Sequence, residues 1–353
     1  MRALLLLALA GCYGPHPQAG SPCDDSHPCP AGLVCADDST CELTTSSGVD
    51  DAALADVRLI DGCTPMPEIC GDGIDQDCDG VDPPCPANDH ADGAIDVGNG
   101  GTFMVDMTYA TDDVGKPSNP QNNTPCGLDG GRDVFYKIHL PANEAVYVDT
   151  FGSNFDTIVR IYHGSCMEPS TPNSVVCHDN ACQTKQTQYI WDLGAGDNCI
   201  VVDQNSSAET SGMMVMHVER AGRTGIALDT SQATGSVTGN TATASDQQTG
   251  TCAFAGNDIG YHFTECPGQS QTITATTCNA ALTFDSALYA VQDNAKFGTE
   301  LVCNDDAAGG CAANNLGAST ITFQAKGAHP FWIIVDSGAA AAAGMFELDT
   351  MIQ

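Results

Sequence analysis

From about residue 87 to the C-terminus the chain repeats itself, and this duplication constrains its fold more than any other feature. The first copy carries GRDVFYKIHL, FGSNFDTIVRIY, VVCHDNAC, NCIVVDQ and GMMVMHVER. The second carries GNDIGYHFTE, ALTFDSALYAV, LVCNDDAAGGC, PFWIIVDS and GMFELDT in the same order. Asp133 matches Asp258, Asp156 matches Asp285, Cys177 matches Cys303, Cys182 matches Cys311, Asp203 matches Asp336 and Gly212 matches Gly344. Within the segments apolar residues alternate. Val134, Tyr136 and Ile138 share one face, as do Ile200 with Val202 and Ile333 with Val335. That is the two-residue period of a half-buried strand. Val, Ile, Tyr, Phe and Thr fill the segments, while Gly, Asn and Pro punctuate them, and no helical stripe follows residue 20. The expected fold is all-β: two tandem antiparallel, jelly-roll-like β-sandwich domains, 87–220 and 221–353, after a disulfide-rich irregular tether.

The early G-x-D-x-aromatic strand, the F-D-T strand, the C-N-D-D turn and the late V-D turn before a Gly-started strand resemble the bacterial pre-peptidase C-terminal domain. That sandwich is appended to secreted proteases and surface proteins. The resemblance covers about three quarters of the chain and is structural in kind. Phe151 stands where many relatives carry a cysteine, and the second copy lacks a counterpart of Cys166. Each copy holds five cysteines, an odd number that spacing alone does not pair.

The N-terminus sets the compartment. MRALLLLALAGC has a basic Arg2, an apolar run Ala3–Ala10 too short to span a bilayer, and small residues before Cys12. It resembles the bacterial lipobox, which implies a signal peptide over 1–11 and acylation of Cys12. Such a chain is anchored to the membrane by lipid. Tyr13, rather than Asp, follows the cysteine, which by resemblance to the sorting rule implies the outer membrane or cell surface. Residues 12–22 read as a flexible tether. Residues 23–43 form a small knot with Cys23, Cys29, Cys35 and Cys41 six apart, and 44–62 form a linker. Nineteen cysteines, eighteen once Cys12 is acylated, point to disulfides in an oxidising compartment. Cys63, Cys70, Cys78, Cys85, Cys177, Cys182, Cys303 and Cys311 belong to that framework.

A net charge of −34 repels nucleic acid and anionic lipid and favours cations. From Asp50 to Asp96 there are thirteen carboxylates and one base, Arg58, and within that stretch the Cys-bridged segment 63–86 reads CGDGIDQDCDGVDPPC from Cys70 to Cys85. Asp75, Asp77 and Asp79 alternate before Gly80, the D-x-D-x-D-G core of a calcium loop. Alternate side chains of a tight loop converge, and glycine permits the turn after the third ligand. Asp72, Asp82 and the Val81 carbonyl stand ready to complete the shell. Pro86 occupies the place of an EF-hand's closing Glu, so a weak calcium site is expected. The segment resembles the CGDGIDNDCDG metal-binding motif of MopE-like surface proteins of myxobacterial type. The rival reading is an acidic spacer with no ordered ion. Further candidate ligands are Asp156, Asp179 and Asp203 in the first copy and Asp285, Asp305, Asp306 and Asp336 in the second. Asp at such turns more commonly caps its own backbone.

No nucleophile elbow, zinc-protease, P-loop or dinucleotide fingerprint occurs, and the histidines at 139, 163, 178, 217, 262 and 329 are scattered. The expected function is a non-catalytic surface module that binds or scaffolds, with a glycan, matrix or protein partner. The alternative is a hydrolase, or an accessory subunit of a secreted protease or glycosidase.

Overall fold

A computed structural model of the chain describes residues 33–35, 41–43, 65–66, 68–115, 126–128, 131–166, 174–208, 210–308, 311 and 317–353. Cys12, Cys23, Cys29 and Cys63 lie outside them. The chain divides at Asp61/Gly62 into two units. In the first, β1 (Leu33–Cys35) pairs antiparallel with β2 (Cys41–Leu43), Cys35 opposite Cys41, and Cys35 is disulfide-bonded.

The second unit holds two sandwiches of identical strand order. In sandwich 1 a five-stranded sheet runs β3 (Ile95–Asp96), β5 (Asp133–Leu140), β10 (Gly196–Gln204), β7 (Thr157–His163), β8 (Ser174–Asp179). It faces a four-stranded sheet of β4 (Gly101–Asp106), β11 (Met213–Arg220), β6 (Glu144–Asp149) and β9 (Gln188–Leu193). In sandwich 2 the orders are β12 (Ile226–Ala227), β14 (Phe254–Thr264), β19 (Pro330–Ser337), β16 (Ser286–Gln292), β17 (Thr299–Asn304) and β13 (Thr234–Asn240), β20 (Met345–Ile352), β15 (Ser270–Thr276), β18 (Thr320–Lys326). Among the described residues there is no α-helix. The pairing is antiparallel except at one edge of each five-stranded sheet, where β3 and β12 run parallel to β5 and β14. Each of these two-residue strands is the first of its sandwich, so no hairpin from a preceding strand of that sandwich dictates its direction.

The alternating residues fill the two cores. Val134, Tyr136, Ile138, Ile200 and Val202 meet Val146, Val148, Met214 and Met216 in sandwich 1. Tyr261, Phe263, Leu288, Phe331, Ile333 and Val335 meet Ile273, Ile321, Phe346 and Leu348 in sandwich 2. A third core lies between the sandwiches. Ala145, Tyr147 and Ile190, on the outer face of the four-stranded sheet of sandwich 1, pack on Tyr289, Val291, Trp332 and Ile334 on the outer face of the five-stranded sheet of sandwich 2. Tyr147 Oη donates to Ala328 O (3.3 Å), and Gln188 Nε2 donates to Glu265 O (2.9 Å). This seam explains why β6 is buried at every position, whereas its counterpart β15 alternates.

The disulfides follow the duplication only in part. Cys126–Cys177 and Cys252–Cys303 occupy equivalent places. Cys166–Cys199 and Cys278–Cys311 span the same sequence separation of 33 residues but sit at different places in the fold, Cys199 within β10 and Cys278 and Cys311 outside the strands. The odd cysteine of each copy is used between copies, as Cys182–Cys266. Cys182 and Cys311 therefore match in sequence and differ in bonding. So many disulfides mark an exported chain in an oxidising compartment. Among the described residues no helix is long and apolar enough to cross a membrane.

Candidate functional site

The acidic loop precedes sandwich 1 and is stitched to it. Cys70–Cys85 closes the loop, and Cys78 is disulfide-bonded too. Just beyond, Asn88 exchanges hydrogen bonds with Phe135 on β5, and the buried carboxylate of Asp89 accepts from the Thr111 N–H at 2.7 Å. Gly80, at φ +92°, makes the turn that follows the aspartate series.

Within the loop the aspartates divide. Asp82 accepts from the N–H groups of Gly71 (2.8 Å) and Gly73 (2.7 Å). Asp72 accepts from Ile74 N (2.9 Å) and Gln76 Nε2 (2.7 Å). Asp75 takes Asp79 N (3.1 Å) and Gly80 N (2.8 Å), and Asp79 takes Val81 N (2.9 Å). The structure brings Asp75 and Asp77 together with Glu68, each offering an oxygen within 4.8 Å of the others. Glu68 Oε1 accepts from Asp77 N at 2.5 Å, while its Oε2 is buried without a hydrogen-bond partner. Glu68 was not singled out by sequence. It lies seven residues before Asp75, outside the alternating motif, and the chain folds back on itself there, with Met66 N donating to Gln76 O (2.9 Å) and Ile69 N to Gln76 Oε1 (3.1 Å). Asp72 and Asp82 fasten the loop's own backbone and stand outside that trio, as does Asp79. Hard oxygens from three carboxylates suit calcium or a similar hard divalent cation.

The further aspartates also divide. Asp203 and Asp336 do not join Asp156 and Asp285; they belong to buried ionic clusters on the outer faces of the five-stranded sheets. In sandwich 1 Arg160 pairs with Asp203, opposite Asp133, whose carboxylate also accepts from Asp113 N (3.0 Å) and Val114 N (2.9 Å). In sandwich 2 the Arg160 position is Tyr289, and the cation comes from the connecting segment as Arg223, 2.5 Å from Asp258 Oδ1. Asp258 repeats the backbone contacts by accepting from Gln247 N (2.7 Å) and Gln248 N (2.9 Å). With one arginine for two buried carboxylates, desolvation dominates. It pushes Asp133 up to about 8, aided by the Asp203 charge, and Asp336 up to about 8, aided by Asp258. Cys177 is disulfide-bonded and His178 is pulled down by burial, so these two neighbours form no nucleophile pair.

Two other surfaces are open to solvent. A depression of about 450 Å³ beside the Cys166–Cys199 bridge is lined by Asp96, Lys137, His139, Ser165 and Asp197, with His139 Nδ1 2.7 Å from Asp197 Oδ1. The outer face of the β15–β18 pair carries a hydroxyl and amide ladder. Thr274 faces Thr322 (3.0 Å), Thr276 faces Thr320 (2.7 Å), and Gln324 bonds Ser270 (3.2 Å) and Thr272 (3.2 Å).

No family model matches the sequence, and no curated protein matches it. Solved structures similar to it include a tail fibre protein from an E. coli phage, at 10% identity and TM-score 0.25, covering 74% of this chain. This chain spans 41% of that fibre protein's length. The CUB1-EGF-CUB2 domain of human MASP-1/3 is similar at 11% identity and TM-score 0.18, covering 71% of this chain and 99% of that one. The ANXUR2 extracellular domain from Arabidopsis thaliana is similar at 8% identity and TM-score 0.20, covering 72% of this chain and 89% of that one.

Proposed function

We propose that the chain is a lipid-anchored protein of the outer membrane or cell surface, acting as a non-catalytic binding or scaffold module with a calcium-holding acidic loop. Cys12 carries the lipid, the segment to residue 62 is the tether, and the fused sandwiches are the displayed body. The observation that carries the reading is the locking of two sandwiches into one body that leaves the β15–β18 ladder open. Rows of Thr, Ser and Gln side chains at strand spacing present donors and acceptors in a fixed array. Such an array suits a polyhydroxylated ligand, so a surface glycan is the partner class to test first. Calcium at Glu68, Asp75 and Asp77 offsets their mutual repulsion and stiffens the junction between tether and body. Its affinity is expected at about 10⁻⁴ to 10⁻³ M, as in extracellular calcium modules.

A glycan array probed with the purified chain, beside Thr274→Lys with Thr322→Lys, tests the surface. Retained glycans should be lost in the variant, whose exposed substitutions leave the cores intact. Turnover of peptide, ester or glycoside substrates would instead favour the hydrolase reading. Cys12→Ser should release the protein from membranes, and a mutant that still fractionates with them removes the anchor. In calorimetric titration, Asp75→Asn with Asp77→Asn should remove calcium heat from the loop.

A further inference from the structure

Outside the acidic loop and the arginine clusters, a second pair of carboxylates recurs at the same place in both sandwiches. Asp156 immediately precedes β7, and Asp179 ends β8 two residues after Cys177. Asp285 immediately precedes β16, and Asp305 follows β17 two residues after Cys303. The registers agree: Val159 faces His178, as Leu288 faces Asn304. Each pair thus sits at the same end of its β-hairpin.

The same atom is orphaned at all four positions. The Oδ1 atoms of Asp156, Asp179, Asp285 and Asp305 are buried with no hydrogen-bond partner. Asp156 is only 7% exposed. Its Oδ2 accepts from Asn205 Nδ2 (3.0 Å), and Asp179 Oδ2 accepts from Asn180 Nδ2 (2.8 Å), so each carboxylate is held by one oxygen and leaves the other free. In sandwich 2 a Cβ on Gly338 would collide with Oδ1 of both Asp285 and Asp305, so glycine makes room for the two oxygens side by side. Buried acceptors are normally satisfied, and leaving one unpaired is destabilising. Four orphans at two equivalent pairs point to a shared missing partner rather than to unrelated accidents of packing. Burial and the Asp156 charge push Asp179 up to about 7, and burial together with Asp285 and Asp306 raises Asp305.

We propose that each sandwich holds a hard divalent cation, calcium by its oxygen donors, between Asp156 and Asp179 in the first and between Asp285 and Asp305 in the second. Two converging carboxylate oxygens form part of a shell that backbone carbonyls and water complete. Sandwich 2 binds more tightly, because Asp306 adds a third negative charge there. The proposal is independent of the acidic loop and of the lipid anchor. The competing arrangement is a shared proton, with one carboxyl of each pair donating to the other's orphan oxygen.

The test uses the oxidised full chain carrying Asp75→Asn and Asp77→Asn, so that loop binding does not contribute. Equilibrium dialysis against calcium up to about 10 mM, well above the expected affinities, should find two ions per chain. Thermal denaturation should show a calcium-dependent rise in Tm. Adding Asp179→Asn should remove one ion, and adding Asp305→Asn the other, tighter one. Without calcium these variants should melt no lower than their parent, because the new amide can donate to Asp156 or Asp285 Oδ1. That keeps loss of binding distinct from loss of folding. No uptake by the loop-silenced parent, or equal uptake by parent and variants, overturns the proposal and leaves the shared proton. The loop reading is judged separately, by the difference between the wild-type chain and this parent.

Discussion

Cys182 of the first sandwich is bonded to Cys266 of the second, across 84 residues of chain. Each module keeps two disulfides internally and gives its fifth cysteine to this bond. The bond lies beside the contact of Gln188 with Tyr147 and Glu265. Disulfide and seam together make one body of two copies.

Replacing both Cys182 and Cys266 with Ala should lower stability by about 2–4 kcal/mol, because the unfolded chain regains the freedom that the cross-link removed. The seam core should keep the sandwiches docked. Denaturant unfolding measures the loss, and non-reducing peptide mapping of the wild type should yield one peptide linking the two modules. Its absence contradicts the pairing.

Trp332 has its side chain fully buried at the seam, beside His262 at a ring separation of 5.1 Å. Trp332→Ala should cost about 3–5 kcal/mol through lost transfer energy and the cavity left behind. Combined with the cysteine pair replacement, it should split one cooperative unfolding transition into two. Calorimetry reads this directly, and a single transition in the triple variant would show that the coupling of the modules does not run through Trp332 and the Cys182–Cys266 bond.

The buried carboxylates predict an unusual pH dependence. Asp133 and Asp336 bind a proton in the folded chain up to about pH 8, whereas unfolded Asp releases it near pH 4. Between these values the folded state holds more protons, so stability falls as pH rises, by about 1.4 kcal/mol per pH unit for each proton held. In chelator, denaturant unfolding should therefore show higher stability at pH 5 than at pH 8. Asp336→Asn should flatten the slope by about one proton. A slope of the opposite sign would mean that both clusters stay fully ionised.

The strand pattern made the fold class and the duplicated segments legible, because alternation survives wherever a strand keeps one face in a core. The five-stranded sheets repeat their segments closely. The strands β6 and β9 were not matched to β15 and β18, for a reason visible only in three dimensions. Ala145, Tyr147 and Ile190 turn outward into the seam, while Thr272, Thr274, Thr322 and Gln324 turn outward toward solvent. Equivalent strands in unlike surroundings lose their likeness.

The ligand sets show the same division. Spacing marked Asp75 and Asp77 because neighbours two apart converge within a loop, a local property of the backbone. Glu68 joins them because the chain at Met66, Glu68 and Ile69 folds back against Gln76 and Asp77. Asp156, Asp179, Asp285 and Asp305 stood out in the sequence together with Asp203 and Asp336, but spacing does not say which of them meet; in the fold Asp203 contacts Arg160 and Asp336 contacts Tyr289 instead. The partners of Asp156 and Asp285 are set instead by the strand across the hairpin. Cysteine number and alternating hydrophobicity are properties of the chain, and they determined an exported, disulfide-braced, doubled β-sandwich. Which cysteines meet, which sheet face is buried and which carboxylates share an oxygen-lined gap depend on contacts between residues far apart in sequence, and only the packed structure decided them.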